Sequence, residues 1–335
     1  MWMKQFPIIG QHTSAVLLGK KMPKYQILCG SRLKPEMAIK TLKLSGVQHE
    51  DIMDGKQVGR VSIVTGKYRF DLGGHIKYIE ILIGETGMGQ SSVDITQAEF
   101  LSVASGEPVV QIRAGTAGGI NSDKDQKIAK RPFLDLGDLV VADENIGHSG
   151  AIEQRLGYFR KVTPNTMPQL GFVNPISDQE VKKEVEAFLV KAYKYGLKPT
   201  LDGRFLRNMN DKLVTKALVD AAGNLGLDVS QGANFTKESL NGEASEEFMA
   251  MLRKRYGIMV SEMEQLTNAF LAKLARVEHG IKAYSGMIVA VIGAVPGHGF
   301  PDPNNREQMR KQEMAEEQTL KIAAEALVKI HKEQN

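Results

Sequence analysis

An arginine followed by a glycine-rich run is the first feature of the sequence that could do chemistry. The segment QIRAGTAGGI places Arg113 after an apolar run and follows it with Thr116 and several glycines. A guanidinium offers a planar fork of N–H donors that matches the oxygens of an anion, and glycines let the main chain approach a ligand. Because open α/β sheets bind ligands at the carboxyl ends of strands, this segment predicts an anion-binding loop. A turn with a solvated arginine is the alternative.

A second glycine segment, GETGMGQSS at 84–92, lies where an apolar run ends and a helical pattern begins. Unpaired backbone N–H groups at a helix N-terminus attract anions, so this segment could add to the same site. A tight strand–helix connection is the alternative. Neither segment has the spacing of a Rossmann fingerprint or of a P-loop, which disfavours nucleoside triphosphate chemistry.

A third segment, SEMEQLT at 261–267, contains paired carboxylates. Ser261 and Glu264 have the spacing of a capping box, which predicts a helix over 261–280. In that helix Glu262 would lie on the apolar face, one turn before Leu266. A buried carboxylate is costly unless something hydrogen bonds to it, and a sugar diol would supply two hydroxyl donors.

Strand and helix patterns alternate along the chain, which predicts an α/β fold. We expect one three-layer α/β/α domain over 1–335 with a mixed central sheet, an insertion at about 150–208 and a C-terminal helix at 307–335. Apolar runs rich in β-branched residues predict strands at 25–30, 78–84, 108–115, 137–143 and 287–295. Helical patterns occupy 91–105, 210–226, 261–280 and the C-terminal segment.

Composition narrows the class of protein. The 335 residues are 42% hydrophobic and 24% charged, as in ordinary globular proteins, and the net charge is +4. Basic residues are scattered among acids, so the charge favours a small anionic substrate over nucleic acid. No apolar run is long enough to span a membrane, the N-terminus lacks a signal-peptide pattern, and the single cysteine, Cys29, fits a reducing compartment. We therefore expect a cytoplasmic protein that binds neither nucleic acid nor membranes.

Four motifs in this order resemble the nucleoside phosphorylase family, which includes purine and uridine phosphorylases. TGMG with the following serine resembles the family's first glycine loop, and IRAGTAGGI resembles its phosphate loop. LGDLVVADENI resembles the next strand, and SEMEQ resembles the Glu-Met-Glu ribose motif. The C-terminal FPDPNNREQMRKQEMAEEQTLKIAAEAL is most similar to uridine phosphorylases. The resemblance implies phosphate-dependent, reversible cleavage of a nucleoside, with uridine favoured, to free base and ribose 1-phosphate.

The resemblance also implies roles for individual residues, with Arg113 and Glu264 as the catalytic pair. Phosphate would be held by Gly30, Arg60, Arg113, Gly115 and Thr116. Ribose would be held by His12, Glu262, Met263 and Glu264. The base would lie against Ala117, Gly118 and Phe235. Inorganic phosphate is then a co-substrate, and no cofactor is expected.

Two of these residues imply a homo-oligomer, with a dimer favoured over a larger ring of dimers. In the family a histidine like His12 and an arginine like Arg60 reach the neighbouring subunit's site, and Arg69 is the alternative to Arg60. No metal motif is present. Ser92 is the candidate ligand for an ion at a subunit interface.

The base pocket departs from the family pattern. Ala294 stands near the position of the aspartate of purine-specific members, and no Gln-x-Arg pair follows Phe235. Val295 stands where uridine phosphorylases have a flap arginine. The candidate substitutes are His298, Lys237 and Asn234. A purine nucleoside phosphorylase or nucleosidase therefore stays an alternative, as does an inactive homologue that binds nucleosides.

Overall fold

The structure, a computed structural model, describes residues 13, 19–31, 33–53, 56–57, 59–121, 133–156, 179–200, 205–237, 246–295 and 300–334. The strands are β1 Met22–Cys29, β2 Ser45–His49, β3 Ile52–Met53, β4 Lys56–Gln57, β5 Ile63–Leu72, β6 His75–Glu85, β7 Ala104–Ile120, β8 Leu139–Gly147, β9 Lys198–Pro199, β10 Leu206–Met209, β11 Ser230–Thr236, β12 Ile258–Glu262 and β13 Ala283–Val295. The helices are α1 Leu33–Leu42, α2 Gln90–Val103, α3 Gly150–Arg155, α4 Gln179–Lys194, α5 Lys212–Asn224, α6 Glu246–Tyr256, α7 Gln265–His279 and α8 Arg306–Gln334.

One mixed sheet organises the molecule, in the order β2-β5-β6-β1-β7-β12-β11-β8-β10-β9. Strand β13 pairs with both β7 and β8, so β7, β12, β11, β8 and β13 form a closed ring of strands. Within this ring β7 and β13 run parallel, whereas β12 runs antiparallel to β7. The carboxyl end of β12 therefore runs alongside β7, in the direction of the amino end of β7.

Helices cover both faces of the sheet, which confirms the predicted layered α/β architecture. One apolar core joins α1, α5 and α8 to β1, β6 and β13. A second core joins α2, α4 and α7 on the other face, with Phe270 fully buried. The C-terminal amphipathic pattern forms α8, which buries Leu320, Leu327 and Ile330 in the first core.

The five predicted strands are present, but the extent of β7 was wrong. It was expected to end at residue 115, and it continues to Ile120. The reason is tertiary pairing, because β13 and β12 hydrogen bond to the glycine-rich stretch at 118–120. Arg113 thus lies inside a long strand and not at its end. It is level with the end of β1, since Leu28 pairs with Arg113.

The region 150–208 contributes to the sheet through β10, which pairs antiparallel with β8. Helix α4 packs Phe188 and Ala192 against the core formed with α7. Residues 157–178 and 201–204 lie outside the described part of the chain, so the bounds of the insertion stay a prediction. Among the described residues, no helix combines the length and apolarity that crossing a membrane needs.

Gly84 in β6 predicts a measurable packing cost. A Cβ added there would lie 2.6 Å from Cε2 of the Phe100 ring in α2, which is fully buried. We expect Gly84→Ala to lower the free energy of unfolding by about 1–3 kcal/mol, because Phe100 or the strand must shift. Chemical denaturation measures this change. Gly223→Ala is the control, because a Cβ on that residue of α5 meets nothing within 4 Å. A neutral or stabilising effect of Gly84→Ala would contradict the packing account.

Candidate functional site

The site forms where the chain leaves β12 beside β7. Val260 lies opposite Gly119 and Ser261 opposite Gly118, in antiparallel register. Each further residue of β12 therefore lies closer to Arg113 along β7. Helix α7 then begins at Gln265, so the two glutamates of the Glu-Met-Glu segment are delivered to the guanidinium by the strand-to-helix junction.

Arg113 is a buried cation between two buried carboxylates. Its residue exposure is 4%, and its Nη2 donates to Oε2 of Glu264. Its Nε lies 3.5 Å from Oε2 of Glu262. Arg113 Nε and Nη1 have no hydrogen-bond partner, although both are buried. Buried polar groups are almost always paired, so two unused donors on a fixed charge are what an anion-binding site would present.

Glycines clear the space around this guanidinium. A Cβ on Gly30 would lie 3.0 Å from Arg113 Nη2, and one on Gly115 would lie 3.6 Å from the same atom. Gly30 follows the last residue of β1, next to Arg113 because of the β1–β7 register. The structure therefore brings Gly30, Arg113 and Gly115 together. Thr116 is half-buried in the same strand.

Glu264 is held by the first glycine loop. Gly89 N donates to Glu264 Oε1 at 2.9 Å, and Gly89 has a φ of 86° at the residue before α2. That conformation favours glycine. The loop was expected to offer its amides to a ligand, but the Gly89 amide binds the glutamate. Met263 is half-buried, and its Cε would lie 3.9 Å from a Cβ on Gly89, so it lies over the same loop.

The predicted capping box was wrong. Ser261 and Glu262 belong to β12, and α7 begins only at Gln265. Glu264 occupies the N-cap position without a capping hydrogen bond from its side chain. Glu262 does the capping, since its Oε2 accepts from the backbone N of Glu264 at 2.7 Å and of Gln265 at 2.9 Å. The strand pairing of β12 with β7 and β11 overrides the local helix-start pattern.

The environment of Glu262 favours its protonated form. Burial raises the pKa of Glu262 to about 7, and the neighbouring carboxylate of Glu264 adds to the rise. The Arg113 charge and the hydrogen bonds from Asn234 and Thr236 act in the opposite direction. The site thus holds a carboxyl group that changes charge near neutral pH.

Phe235, one of the predicted base contacts, lies on the opposite face of β11 from Asn234 and Thr236. In β11, Asn234 and Thr236 point toward Glu262, and Phe235 between them points away. Phe235 packs against Phe205, with ring centroids 5.3 Å apart, in an aromatic cluster. Ala117 is buried. Gly118 is half-buried. Both lie in β7 beyond Arg113. Contact of these residues with a base stays a prediction.

Asn234 was a candidate substitute for the missing base contacts, with a solvated side chain as the alternative. It is fully buried and hydrogen bonded inside the protein, so it is not a solvated group. Lys237 follows β11 and is half-buried. His12 and His298, two further predicted contacts, lie outside the described residues.

The two arginines considered for a neighbouring subunit are both exposed. Arg60 follows Gly59, and Arg69 lies in β5. Ser92 is half-buried in the first turn of α2, beside Gly87. In the part of the chain that is described, no cluster of three or more His, Cys, Asp or Glu side chains could hold a metal ion. The ion role of Ser92 stays a prediction.

Sequence reasoning missed the side chains that support Glu262 from β11. Asn234 Nδ2 lies 2.6 Å and Thr236 Oγ1 2.7 Å from Glu262 Oε1. The signal that could have found them is the alternation in ANFT, which places Asn and Thr on one face of a strand and Phe on the other.

Comparison with known proteins agrees with this geometry. The family model described as the phosphorylase superfamily matches residues 27–329. The chain belongs to the phosphorylase superfamily. No curated protein matches the chain. The superfamily match confirms the family resemblance that the four motifs indicated.

Two solved structures show that this superfamily member shares its fold with nucleoside phosphorylases. Purine nucleoside phosphorylase from Toxoplasma gondii in complex with immucillin-H is 17% identical, with 93% of each chain covered and a TM-score of 0.56. Uridine phosphorylase from Vibrio fischeri ES114, complexed with 6-hydroxy-1-naphthoic acid, is 16% identical, with 92% of each chain covered and a TM-score of 0.56.

The raised pKa of Glu262 predicts a pH-dependent stability difference. The folded protein keeps this proton up to about pH 7, whereas the unfolded chain releases it near 4.5, so protonation stabilises the fold at low pH and this contribution is lost as pH rises to 7. We expect Glu262→Gln, which cannot ionise, to gain stability relative to the wild type between pH 4.5 and 7.5. The gain is on the order of 3 kcal/mol. Denaturant titrations of both proteins across this range measure it, and a constant difference would contradict the raised pKa.

Proposed function

We propose that the protein catalyses the reversible phosphorolysis of a nucleoside to free base and ribose 1-phosphate. The observation that carries this proposal is Arg113, whose Nε and Nη1 are buried and unpartnered while its Nη2 donates to Glu264. An oxyanion would satisfy the two unused donors, and the adjacent carboxylate would accept hydroxyl groups of the sugar. Both relatives reported above are nucleoside phosphorylases, which supports the same reaction class.

Phosphate and ribose would share the space around Arg113. A phosphate oxygen attacks C1′ of the ribose, the bond from C1′ to the base nitrogen breaks, and its electron pair leaves with the base, which takes up a proton. Positive charge develops on the sugar as the bond breaks, and the dianionic nucleophile stabilises it. The protein's contribution is to position both reactants and to fix the charges around them.

Glu264 is suited to bind the ribose. Gly89 N is the hydrogen-bond donor at its Oε1, and Arg113 binds its Oε2, so its position is set from two sides. A carboxylate has about four acceptor sites, which leaves capacity for a ribose hydroxyl at Oε1. Met263 would pack against the sugar, and Gly30, Gly115 and Thr116 would surround the phosphate.

Uridine is the nucleoside that we propose. The missing aspartate near Ala294 disfavours purines, and the C-terminal flap and helix resemble uridine phosphorylases. Phe235, Ala117 and Gly118 would border the base. The missing Gln-x-Arg pair favours one second candidate, a homologue that binds nucleosides without cleaving them. The proposed reaction needs no cofactor, and we propose a cytoplasmic location, where phosphate and nucleosides are both available.

A homodimer would complete the site. Thr13 and Gly59 form an antiparallel bridge, although they are far apart in sequence. Glu99, which is buried, accepts a hydrogen bond from Thr13 N at 2.6 Å and anchors this bridge. The residues next to its two members are His12 and Arg60, the pair proposed to enter the neighbouring subunit's site. The bridge places Arg60 near the segment that follows His12, which supports the proposal for Arg60.

Free-base release measures the proposed reaction directly. We expect uridine to be cleaved only when inorganic phosphate is present, and inosine to be cleaved more slowly. Arg113→Lys should lower kcat/KM for phosphate by about 10²–10³-fold, because a lysine keeps the charge but loses the planar fork. Arg310→Ala, an exposed arginine in α8, is the control and should keep its activity.

Three outcomes contradict parts of this proposal. Absence of cleavage of both nucleosides in phosphate buffer, with tight binding of uridine, favours the inactive homologue. Cleavage that does not depend on phosphate favours a nucleosidase. Equal loss of activity in Arg310→Ala would show that the defect of Arg113→Lys is not specific to the Arg113 fork.

Subunit complementation tests the proposed dimer. A dimer of Arg113→Ala with Arg60→Ala contains one site with both native arginines, if Arg60 acts across the interface. Random assembly of equal amounts should therefore restore about a quarter of wild-type activity. The comparison is the summed activity of the separate variants. If coexpression yields no more than that sum, Arg60 does not act in trans, and Arg69→Ala in the same experiment tests the alternative.

A further inference from the structure

Glu262 is held by four hydrogen bonds that come from two directions. Its Oε2 accepts from the backbone N of Glu264 and of Gln265, at the start of α7. Its Oε1 accepts from Asn234 Nδ2 at 2.6 Å and from Thr236 Oγ1 at 2.7 Å, both in β11. The carboxylate is therefore a link between β11 and the start of α7, where Glu264 is the N-cap residue.

The β11 side of this link is anchored in a buried network of amides. Asn234 Nδ2 also lies 3.3 Å from Asn145 Oδ1, and Asn145 Nδ2 lies 2.9 Å from Asn210 Oδ1. Gln265 Nε2 donates to the same Asn210 oxygen at 2.8 Å. The network closes a loop through β8, the residue after β10 and the start of α7, because the backbone N of Gln265 also donates to Glu262 Oε2.

The network continues from Gln265 to β7, close to Arg113. Asn268 Nδ2 donates to Gln265 Oε1, and Gln97 Nε2 donates to Asn268 O. Gln97 also bonds Gln111, which lies two residues before Arg113 in β7 and bonds Gln26 in β1. Every member is 4% exposed or less: Gln26, Gln97, Gln111, Asn145, Asn210, Asn234, Glu262, Gln265 and Asn268.

The charged groups that face Glu262 are few. Among the described residues they are Arg113 from β7 and Glu264 from the start of α7. Strands β11 and β8 present the uncharged groups Asn234, Thr236 and Asn145 on this side. The amide of Asn234 thus stabilises the carboxylate as a donor without neutralising its charge, and the network restricts its rotation.

We propose that Asn234 is a positioning residue that opposes protonation of Glu262 and keeps its carboxylate in the capping orientation, and thereby holds Glu264 against Arg113. Turnover would depend on Asn234 through these two glutamates, without contact between Asn234 and substrate. This consequence for turnover rests on the proposed phosphorolysis. The positioning of Glu262 by Asn234 does not depend on which reaction the protein catalyses.

The orientation argument follows from the chain path. Only Met263 separates Glu262 from Glu264, and Glu262 Oε2 binds the N of Glu264 itself. A rotation of the Glu262 side chain would release that backbone group and leave two helix-start N–H groups without their acceptor. The Glu264 side chain, which binds Arg113 and Gly89, would then lose its fixed position.

Asn234→Asp tests the proposal, because it replaces the amide donor by a carboxylate of the same size, which carries the same negative charge as ionised Glu262. The δ-carbon of Glu262 in the full chain, labelled with ¹³C and assigned with Glu262→Gln, reports its ionisation by NMR without turnover. We expect its titration to move upward by about one pH unit or more. The acidic limb of the kcat/KM profile for uridine and phosphate should move with it.

Matched variants separate this effect from general destabilisation. Asn208→Asp introduces the same change in β10, two strands from Asn234 and opposite Asn145, at a side chain that is 2% exposed and has no hydrogen-bond partner. Because it does not contact Glu262, it should move the Glu262 titration less than Asn234→Asp does. Asn234→Leu removes the donor at similar volume without adding charge, and it should raise the titration midpoint by a smaller amount. Asn234→Leu replaces Asn234→Asp in the titration if circular dichroism shows that Asn234→Asp does not fold.

The outcomes are distinguishable. A Glu262 titration that moves in an Asn234 variant, and moves less in Asn208→Asp, supports the proposal even if no nucleoside is cleaved, in which case the proposed function fails alone. An unchanged titration in a folded Asn234 variant overturns the proposal, whatever the activity. A shifted titration with an unshifted kcat/KM profile overturns its consequence for turnover.

Discussion

The site depends on one guanidinium held between two carboxylates in an interior that excludes water. Arg113 contributes one positive charge, and Glu262 and Glu264 contribute two negative charges when both are ionised. Burying charges is costly unless each is paired and hydrogen bonded. The glutamates meet that condition through backbone and side-chain donors. Arg113 meets it only in part, because Nη2 is hydrogen bonded to Glu264 but Nε and Nη1 have no hydrogen-bond partner. A bound oxyanion would accept hydrogen bonds from these two unpartnered nitrogens of Arg113.

Several parts of the fold serve this arrangement. The antiparallel register of β12 on β7 delivers the glutamates to Arg113. The glycine at residue 30 leaves room for the guanidinium, and the Gly89 amide holds Glu264. The start of α7 is capped by Glu262, so the helix and the charge cluster are built from the same side chain. A change in any of these elements would therefore alter the geometry of the Arg113–Glu262 and Arg113–Glu264 ion pairs.

Residue types and spacing were sufficient to find the charged centre and most of the scaffold. Continuous apolar runs identified the buried strands, and the Arg-x-Gly-Thr and Glu-Met-Glu segments identified Arg113 and Glu264. The failures have one physical cause, which is tertiary override of local pattern. The SEMEQ segment has a helix-start spacing, but pairing with β7 and β11 keeps Ser261 and Glu262 in a strand. The same pairing extends β7 through glycines that read as a loop.

The support of Glu262 could not be predicted, because it depends on contacts between distant segments. Asn234 and Asn145 are 89 residues apart in sequence, and their amides meet only because β11 lies beside β8. The surroundings of Phe235 depend on distant segments in the same way. Strand alternation places its ring in a cluster with Phe205 and Phe248, and its contact with a base stays a prediction. Neither placement leaves a signal in the local sequence beyond the alternation of one short strand.

A crystal structure of the protein with inorganic phosphate and a non-cleavable nucleoside analogue tests the central claim most directly. The account predicts a phosphate oxygen within about 3.2 Å of Arg113 Nε or Nη1, with a ribose hydroxyl at Glu264 on the side facing the anion. A phosphate bound elsewhere, with both Arg113 donors still unpaired or turned onto protein groups, would contradict it.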